Sequence, residues 1–231
     1  MKKSAEILSE VRSILATDWK TREGQVVPEA EQVRLGNDAV KLSGTVLYAD
    51  LVDSTDLVQV HHDWFAAEVY KSYLVSACHI VRNNGGTVTA FDGDRVMAVY
   101  LGNTKNTSAA KSALQINFIT GKINAEIKRS YPNSSYSLRQ AIGIDTSELF
   151  VARTGIRNSN DLVWVGQAAN YAAKICTFAD ATHSVVITGG VFSRLRQEVK
   201  TGGEPKRSMW TKFHWTERGI PIYKSNWTWS F

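Results

Sequence analysis

The chain has 231 residues, 27 Lys and Arg against 22 Asp and Glu for a formal charge of +5, and 43% apolar residues. That fits one generous domain with a proper core, excluding a disordered chain or two full-sized domains, and the mild, scattered basic excess suits a polyanion such as a triphosphate while arguing against nucleic-acid binding. There is no eighteen-residue apolar run and no signal-like start, and Cys78 and Cys176 have neither metal nor redox spacing, so a cytoplasmic protein with reduced thiols and no membrane partner is expected.

Apolar residues at helical spacing (Ile7, Leu8, Val11, Ile14, Leu15) predict a helix within 4–19. Residues 20–38 are polar and unpatterned and read as a connector lying over the core. The chain therefore divides into a helix with connector, 1–38, and a main domain, 39–231. Thr45–Ala49 is a run of strand formers, as in a strand covered on both faces. It leads into Asp50-Leu51-Val52-Asp53-Ser54-Thr55, a strand-to-helix turn in which Asp53 or Ser54 can cap the helix. Residues 55–83 read as helical with a break near His61-His62-Asp63, and Asn84-Gly85-Gly86 stops them. Strands at 87–91 and 95–101 flank Asp92-Gly93-Asp94, a hairpin signal. A helix over 106–128 follows, then strands at 136–144 and 148–152, a polar excursion, and a strand at 162–165. A helix at 168–178, a strand at 185–188, a short helix at 190–198 and strands at 212–216 and 220–225 close the chain. This order predicts an α/β fold (an α+β sandwich), a ferredoxin-like split βαβ core with appended strands.

Asp50 ends the first core strand, and Asp94 stands at the tip of a hairpin that pairs beside it in such a sheet. Taken singly, either is more often a turn residue than a ligand; together, their place in the strand order lets them converge. Converging carboxylates repel unless a cation lies between them. Mg²⁺ or Mn²⁺ favours carboxylate plus phosphate oxygens, and the amides of Val52, Asp53, Ser54 and Thr55 open a helix towards such phosphates. This is the layout of two-metal phosphoryl transfer.

Three segments carry a resemblance. Tyr48-Ala49-Asp50-Leu51-Val52-Asp53-Ser54-Thr55 resembles the F-x-D-[IL]-x-G-[FS]-T signature of class III adenylate and guanylate cyclases. Phe91 to Tyr100 resembles their G-D-x-x-M-A-x-F hairpin, and Val165 to Lys174 their G-x-x-V-N-x-A-x-R helix. The three occur in family order across roughly 42–225. The resemblance implies two divalent cations, Mn²⁺ or Mg²⁺, on Asp50 and Asp94 with the Leu51 carbonyl. It implies that Asn170 orients the ribose, that Lys174 stands where the family has a transition-state arginine, and that Arg218 binds triphosphate. Family members are head-to-tail dimers with shared sites, so a homodimer is implied.

The departures bear on the base. Purine cyclases of the family read it with polar residues at the positions of Ala90 and Val163, and neither of these can hydrogen-bond a purine edge through its side chain. Tyr48, Ala90, Val163 and Trp164 are the candidate base pocket, better suited to a pyrimidine. The chain resembles the pyrimidine cyclases of the bacterial Pycsar antiphage system, whose product activates an effector. UTP to cUMP is the favoured reaction. A cytidylate or purine cyclase, and a catalytically silent nucleotide-binding module, are the alternatives; Lys174 in place of Arg keeps the charge but loses the planar fork and is the best support for the last.

Overall fold

The computed structural model describes residues 3–231. A long strand, β2 (Asp38–Leu51), lies between β4 (Arg95–Tyr100) and β5 (Gln140–Ile156), antiparallel to both. With β3 (Gly86–Asp92) beyond β4, these strands lie in the order β5-β2-β4-β3. That is the predicted split βαβ arrangement. The sheet continues past β5 through β7 (Val185–Thr188), parallel to it, to β11 (Ile220–Ser225) and β10 (Thr211–Trp215). A separate two-residue pair, β8 (Thr201–Gly202) and β9 (Arg207–Ser208), lies outside it.

Alternation along β2 sorts its side chains between two cores. Leu47, Ala49 and Leu51 join the core under α3 (Asp63–Asn83) and α4 (Lys105–Ser130), with Phe65, Tyr73, Ala110 and Leu114. Val46 and Tyr48 face the opposite core, with Met97, Trp164 and the alanines of α5 (Gln167–Cys176). Covering both faces explains why the strand reads as continuously apolar. The helix after β2 breaks where expected, into α2 (Ser54–Val60) and α3, and the hairpin turns at Gly93 with φ 60°.

Several expectations need revision. The segment predicted as two strands at 136–144 and 148–152 is the single strand β5. Its polar stretch stays in the ladder because the side chains are satisfied: Asp145 accepts from Thr188 at 2.5 Å and from Gln167 at 3.2 Å, and the Thr146 hydroxyl donates to the Gly44 carbonyl at 3.1 Å. The polar excursion is the projecting end of a hairpin between β5 and β6 (Ser159–Val165), closed by Asn158 at φ 67°. The connector is woven into the fold: β1 (Lys20–Glu23) runs parallel to β2, and Val33 is fully buried among Val40, Leu42 and Val151. The leading helix α1 (Ser4–Ala16) forms, but none of its residues is buried. The helix expected at 190–198 is a short α6 (Gly189–Ser193) and a separate 3-10 turn. Both cysteines are free, Cys176 buried and Cys78 half-buried.

α5 presses on β5 at Gly143. A Cβ there would collide with the Ala172 carbonyl and lie 2.6 Å from the Cys176 amide, both helix backbone that cannot turn aside. Gly143→Ala should therefore cost about 1–3 kcal/mol through overpacking, read as a lower urea midpoint at unchanged slope. An unchanged midpoint would mean that α5 is free to move off the sheet.

Candidate active site

The end of β2 and the β3–β4 hairpin bring together what the sequence singled out. Ala49 pairs with Val96, so Asp50, the residue after Ala49, meets Arg95, the residue before Val96. Arg95 Nε and Nη2 donate to Asp50 Oδ2 at 3.1 and 2.8 Å. Asp94 stands in the hairpin turn, and its Oδ2 is buried without a hydrogen-bond partner. A buried carboxylate oxygen left unbonded is costly. Beneath the turn, Tyr73 is fully buried and its hydroxyl is also unpartnered. Burial holds its phenol well above the usual range, with further upward pushes from Cys176, Asp50 and Asp94. Both carboxylates thus act on one buried phenol.

Among the described residues, no group of three or more His, Cys, Asp and Glu side chains is placed to hold a metal. Two carboxylates, one with an orphaned oxygen, fit a hard cation that takes its remaining ligands from phosphate, backbone carbonyl and water. Leu51, whose carbonyl is the further candidate ligand, is the last residue of β2 and directly follows Asp50.

The turn after Leu51 is held by its backbone and by a residue that the sequence did not single out. The Val52 amide donates to the Arg139 carbonyl at 3.0 Å, so it is already engaged. Asp53 occupies the N-cap position of α2 at φ 60° but makes no capping hydrogen bond; Ser54 is already inside the helix, so neither caps it as expected. Instead the Arg139 guanidinium pairs with the Asp53 carboxylate. The left-handed conformation accounts for the glycine at this position in the cyclase signature, because only glycine adopts it freely. Ser54 is half-buried and Thr55 exposed on the opening turn of α2. Tyr136, on the chain leading to Arg139, is pushed up to about 12, by burial first and then by neighbours that include Asp53 and Asp94. No local pattern marks Arg139. It lies in the irregular segment before β5, and register alone brings it to Asp53.

Of the candidate pocket, Tyr48 and Ala90 are half-buried against the core that contains Trp164 and Met97. Val163 lies on the other face of β6 from Trp164 and is 38% exposed, so one protomer does not bring all four together. Asn170 and Lys174 are one helical turn apart on the exposed side of α5. Arg218 lies in the turn between β10 and β11, its guanidinium over the rings of Tyr171 at 5.7 Å and Trp215 at 6.0 Å. The two strands it joins lie three and four places from β2 in the sheet, roughly 14–19 Å at about 4.8 Å per strand.

With a ferredoxin-like sheet, a strand-end aspartate and a hairpin aspartate, the architecture is that of the class III nucleotidyl cyclases. The adenylyl cyclase CyaB from P. aeruginosa superposes with a TM-score of 0.69 at 17% identity, over 81% of this chain and 95% of that one. The chain belongs to the uridylate cyclase family. It is 44% identical to the uridylate cyclase of Xanthomonas perforans over 97% of this chain and 96% of that protein, and 44% identical to that of Burkholderia cepacia over 92% of each. No protein-family model matches it. No helix among the described residues is long and apolar enough to cross a membrane.

Asp53→Gly should change stability by less than about 1 kcal/mol, since relief of the left-handed cost offsets the loss of a half-exposed ion pair. Asp53→Val, β-branched in the same conformation, should lose about 1–3 kcal/mol in urea unfolding. Equal losses in the two variants would show that the Arg139 pair, not the backbone, holds the turn.

Proposed function

We propose that the protein converts UTP to 3′,5′-cyclic UMP and pyrophosphate, in sites shared between the two protomers of a homodimer. The pairing of Asp50 with the orphaned Asp94 at the end of β2 carries the reading. Asp50, Asp94 and the Leu51 carbonyl would hold two divalent cations, Mg²⁺ or Mn²⁺. When bound, such ions make the 3′-hydroxyl a better nucleophile and neutralise charge on the phosphates. The 3′-oxygen attacks the α-phosphorus, the bond to the β-phosphate oxygen breaks, and the 3′ proton passes to solvent. The amides of Asp53, Ser54 and Thr55 face the phosphates; Val52 supports the turn from behind, its own amide being engaged.

Asn170, Lys174 and Arg218 belong to the other half of each site. Roughly 14–19 Å of sheet separates Arg218 from β2, which supports Arg218 serving the site of the partner. Asn170 orients the ribose, and Lys174 supplies positive charge to the phosphorus as a point charge rather than a fork. Tyr48, Ala90, Val163 and Trp164 bound the base, with Val163 and the Tyr48–Trp164 core contributing from different protomers. The apolar side chains of Ala90 and Val163 favour a pyrimidine, and the names of the relatives favour uracil. On this reading residues 39–231 carry the catalytic residues, with the segment before them built into the same domain through β1 and Val33; the chain works in the cytoplasm, and its product acts on a cyclic-nucleotide-responsive effector in antiphage defence.

Purified protein with Mn²⁺ and each of UTP, CTP, ATP and GTP should yield cyclic UMP from UTP, resolved by chromatography and mass. Asp50→Asn and Asp94→Asn should each abolish it while leaving a folded dimer. Asp50→Asn mixed with Asn170→Ala should recover part of the activity, because one hybrid site is intact. A cyclic purine as main product would overturn the base assignment. Failure to recover despite subunit exchange would overturn shared sites.

A further inference from the structure

Arg95 directly follows Asp94, and both donors that it offers to Asp50 reach a single oxygen, Oδ2. The carboxylate assigned above to a cation is therefore already neutralised by a side chain of the same chain. The contact is not locked into the core: the Arg95 side chain is 38% exposed and that of Asp50 21%. The same guanidinium lies close enough to Tyr48 to offset part of the upward shift that burial imposes on its phenol. Arg95 thus bears on both the carboxylate assigned to a cation and the tyrosine of the candidate base pocket.

A guanidinium and a divalent cation compete for Oδ2, because like charges at contact distance repel strongly wherever solvent is partly excluded. A cation arriving alone weakens the hold of Arg95 on Asp50 and leaves the guanidinium charge without a full partner. A cation arriving with a nucleoside triphosphate brings phosphate oxygens, which suit the planar fork of arginine at least as well as a carboxylate does. We propose that Arg95 is an exchangeable counter-ion, which holds Asp50 in the empty site, yields it to a divalent cation, and takes a phosphate of the incoming nucleotide. Cation and nucleotide then bind cooperatively, and the empty site is protected against metal alone. The proposal rests on the cyclase reading above, and it makes Arg95 a substrate-binding residue that the sequence motif does not mark.

The test separates the two halves of the exchange. Mn²⁺ alone is titrated calorimetrically into wild type, Arg95→Met, Arg95→Lys and Asp50→Asn, and KM for UTP is measured on the first three. Arg95→Met should bind Mn²⁺ about fivefold more tightly than wild type without nucleotide, since a partly exposed ion pair of this kind opposes it by that order. Its KM should rise about tenfold through loss of a charge-assisted phosphate contact. Arg95→Lys, with the charge but not the fork, should keep Mn²⁺ affinity near wild type and raise KM less. These opposite movements are not expected of a merely structural ion pair.

Equal or weaker Mn²⁺ binding by Arg95→Met would overturn the competition, and tighter binding with unchanged KM would overturn the phosphate contact. If Arg95→Met fails to fold, Arg95→Lys decides, and an unchanged KM there overturns the role of the fork. Mn²⁺ binding that survives Asp50→Asn would instead overturn the metal assignment, and the exchange with it. Loss of binding in Asp50→Asn with no change in Arg95→Met would sink this proposal and leave the cyclase reading standing.

Discussion

Antiparallel pairing of β2 on both edges is the constraint on which the rest of the molecule depends. Its partners fix its register: Ala49 opposite Val96 on one side and Ile142 on the other. A slip of one residue would exchange its faces. Tyr48 and Asp50 would then point into the closed core beneath α3 and α4, and Leu47, Ala49 and Leu51 would point towards the cleft. Burying the Asp50 charge among Phe65, Leu114 and Ile144 would be strongly unfavourable. The apolar alternation and the placement of the carboxylate therefore enforce the same register. Arg95 joins Asp50 as a consequence, because the hairpin is in register with the same strand.

Small residues let the second layer reach this strand. Gly143 and the buried alanines 168, 169 and 172 allow α5 to lie against β5 and β2. Its C-terminal end comes down beside Asp50: the Cys176 thiol donates to the Ala141 carbonyl at 3.3 Å and is pushed up to about 12, by burial first and by Asp50 second. That thiol remains neutral at physiological pH and leaves the two carboxylates and Arg95 to set the charge of the cleft. Larger residues in place of Gly143 or the alanines would force the sheet open or move the helix outward.

Much of this was legible in the sequence, and the gaps have physical causes. The strand-helix-hairpin order, the break at His61–Asp63 and the turn at Gly93 follow from local signals, which the structure bears out. β5 was divided in prediction because Asp145, Thr146 and Ser147 read as polar; partners distant in sequence, Thr188 and Gly44, make them compatible with a strand, and no local window contains those partners. Val33 was missed for the opposite reason, as a single apolar residue in a polar segment whose burial depends on β1 pairing with β2. Asp53 looked like a helix cap by residue type, yet its left-handed backbone and its pairing with Arg139 are set by the tight exit from β2. Arg95 and Arg139 carry no motif. Sequence reasoning finds carboxylates by their position at strand ends, whereas cations that reach across a turn become visible only once the register is known.

The distribution of positive charge bears on the substitution of lysine at 174. In the proposed dimer, a lysine there supplies a compact, well-hydrated point charge, and its ammonium already lies 5.8 Å from the Phe178 ring. The planar forks of the site stand elsewhere: Arg95 on Asp50, Arg139 on Asp53, and Arg218 stacked on Tyr171 and Trp215. Bidentate recognition of phosphate needs a fork but does not dictate which element provides it. If Arg95 transfers from carboxylate to phosphate as nucleotide enters, the site gains a guanidinium on the metal-bearing protomer, while the partner contributes Lys174 and Arg218. The loss of the fork at 174 then shifts the work of charge neutralisation across the dimer interface rather than abolishing it, and retention of both aspartates beside a lysine becomes chemically coherent instead of a sign of decay.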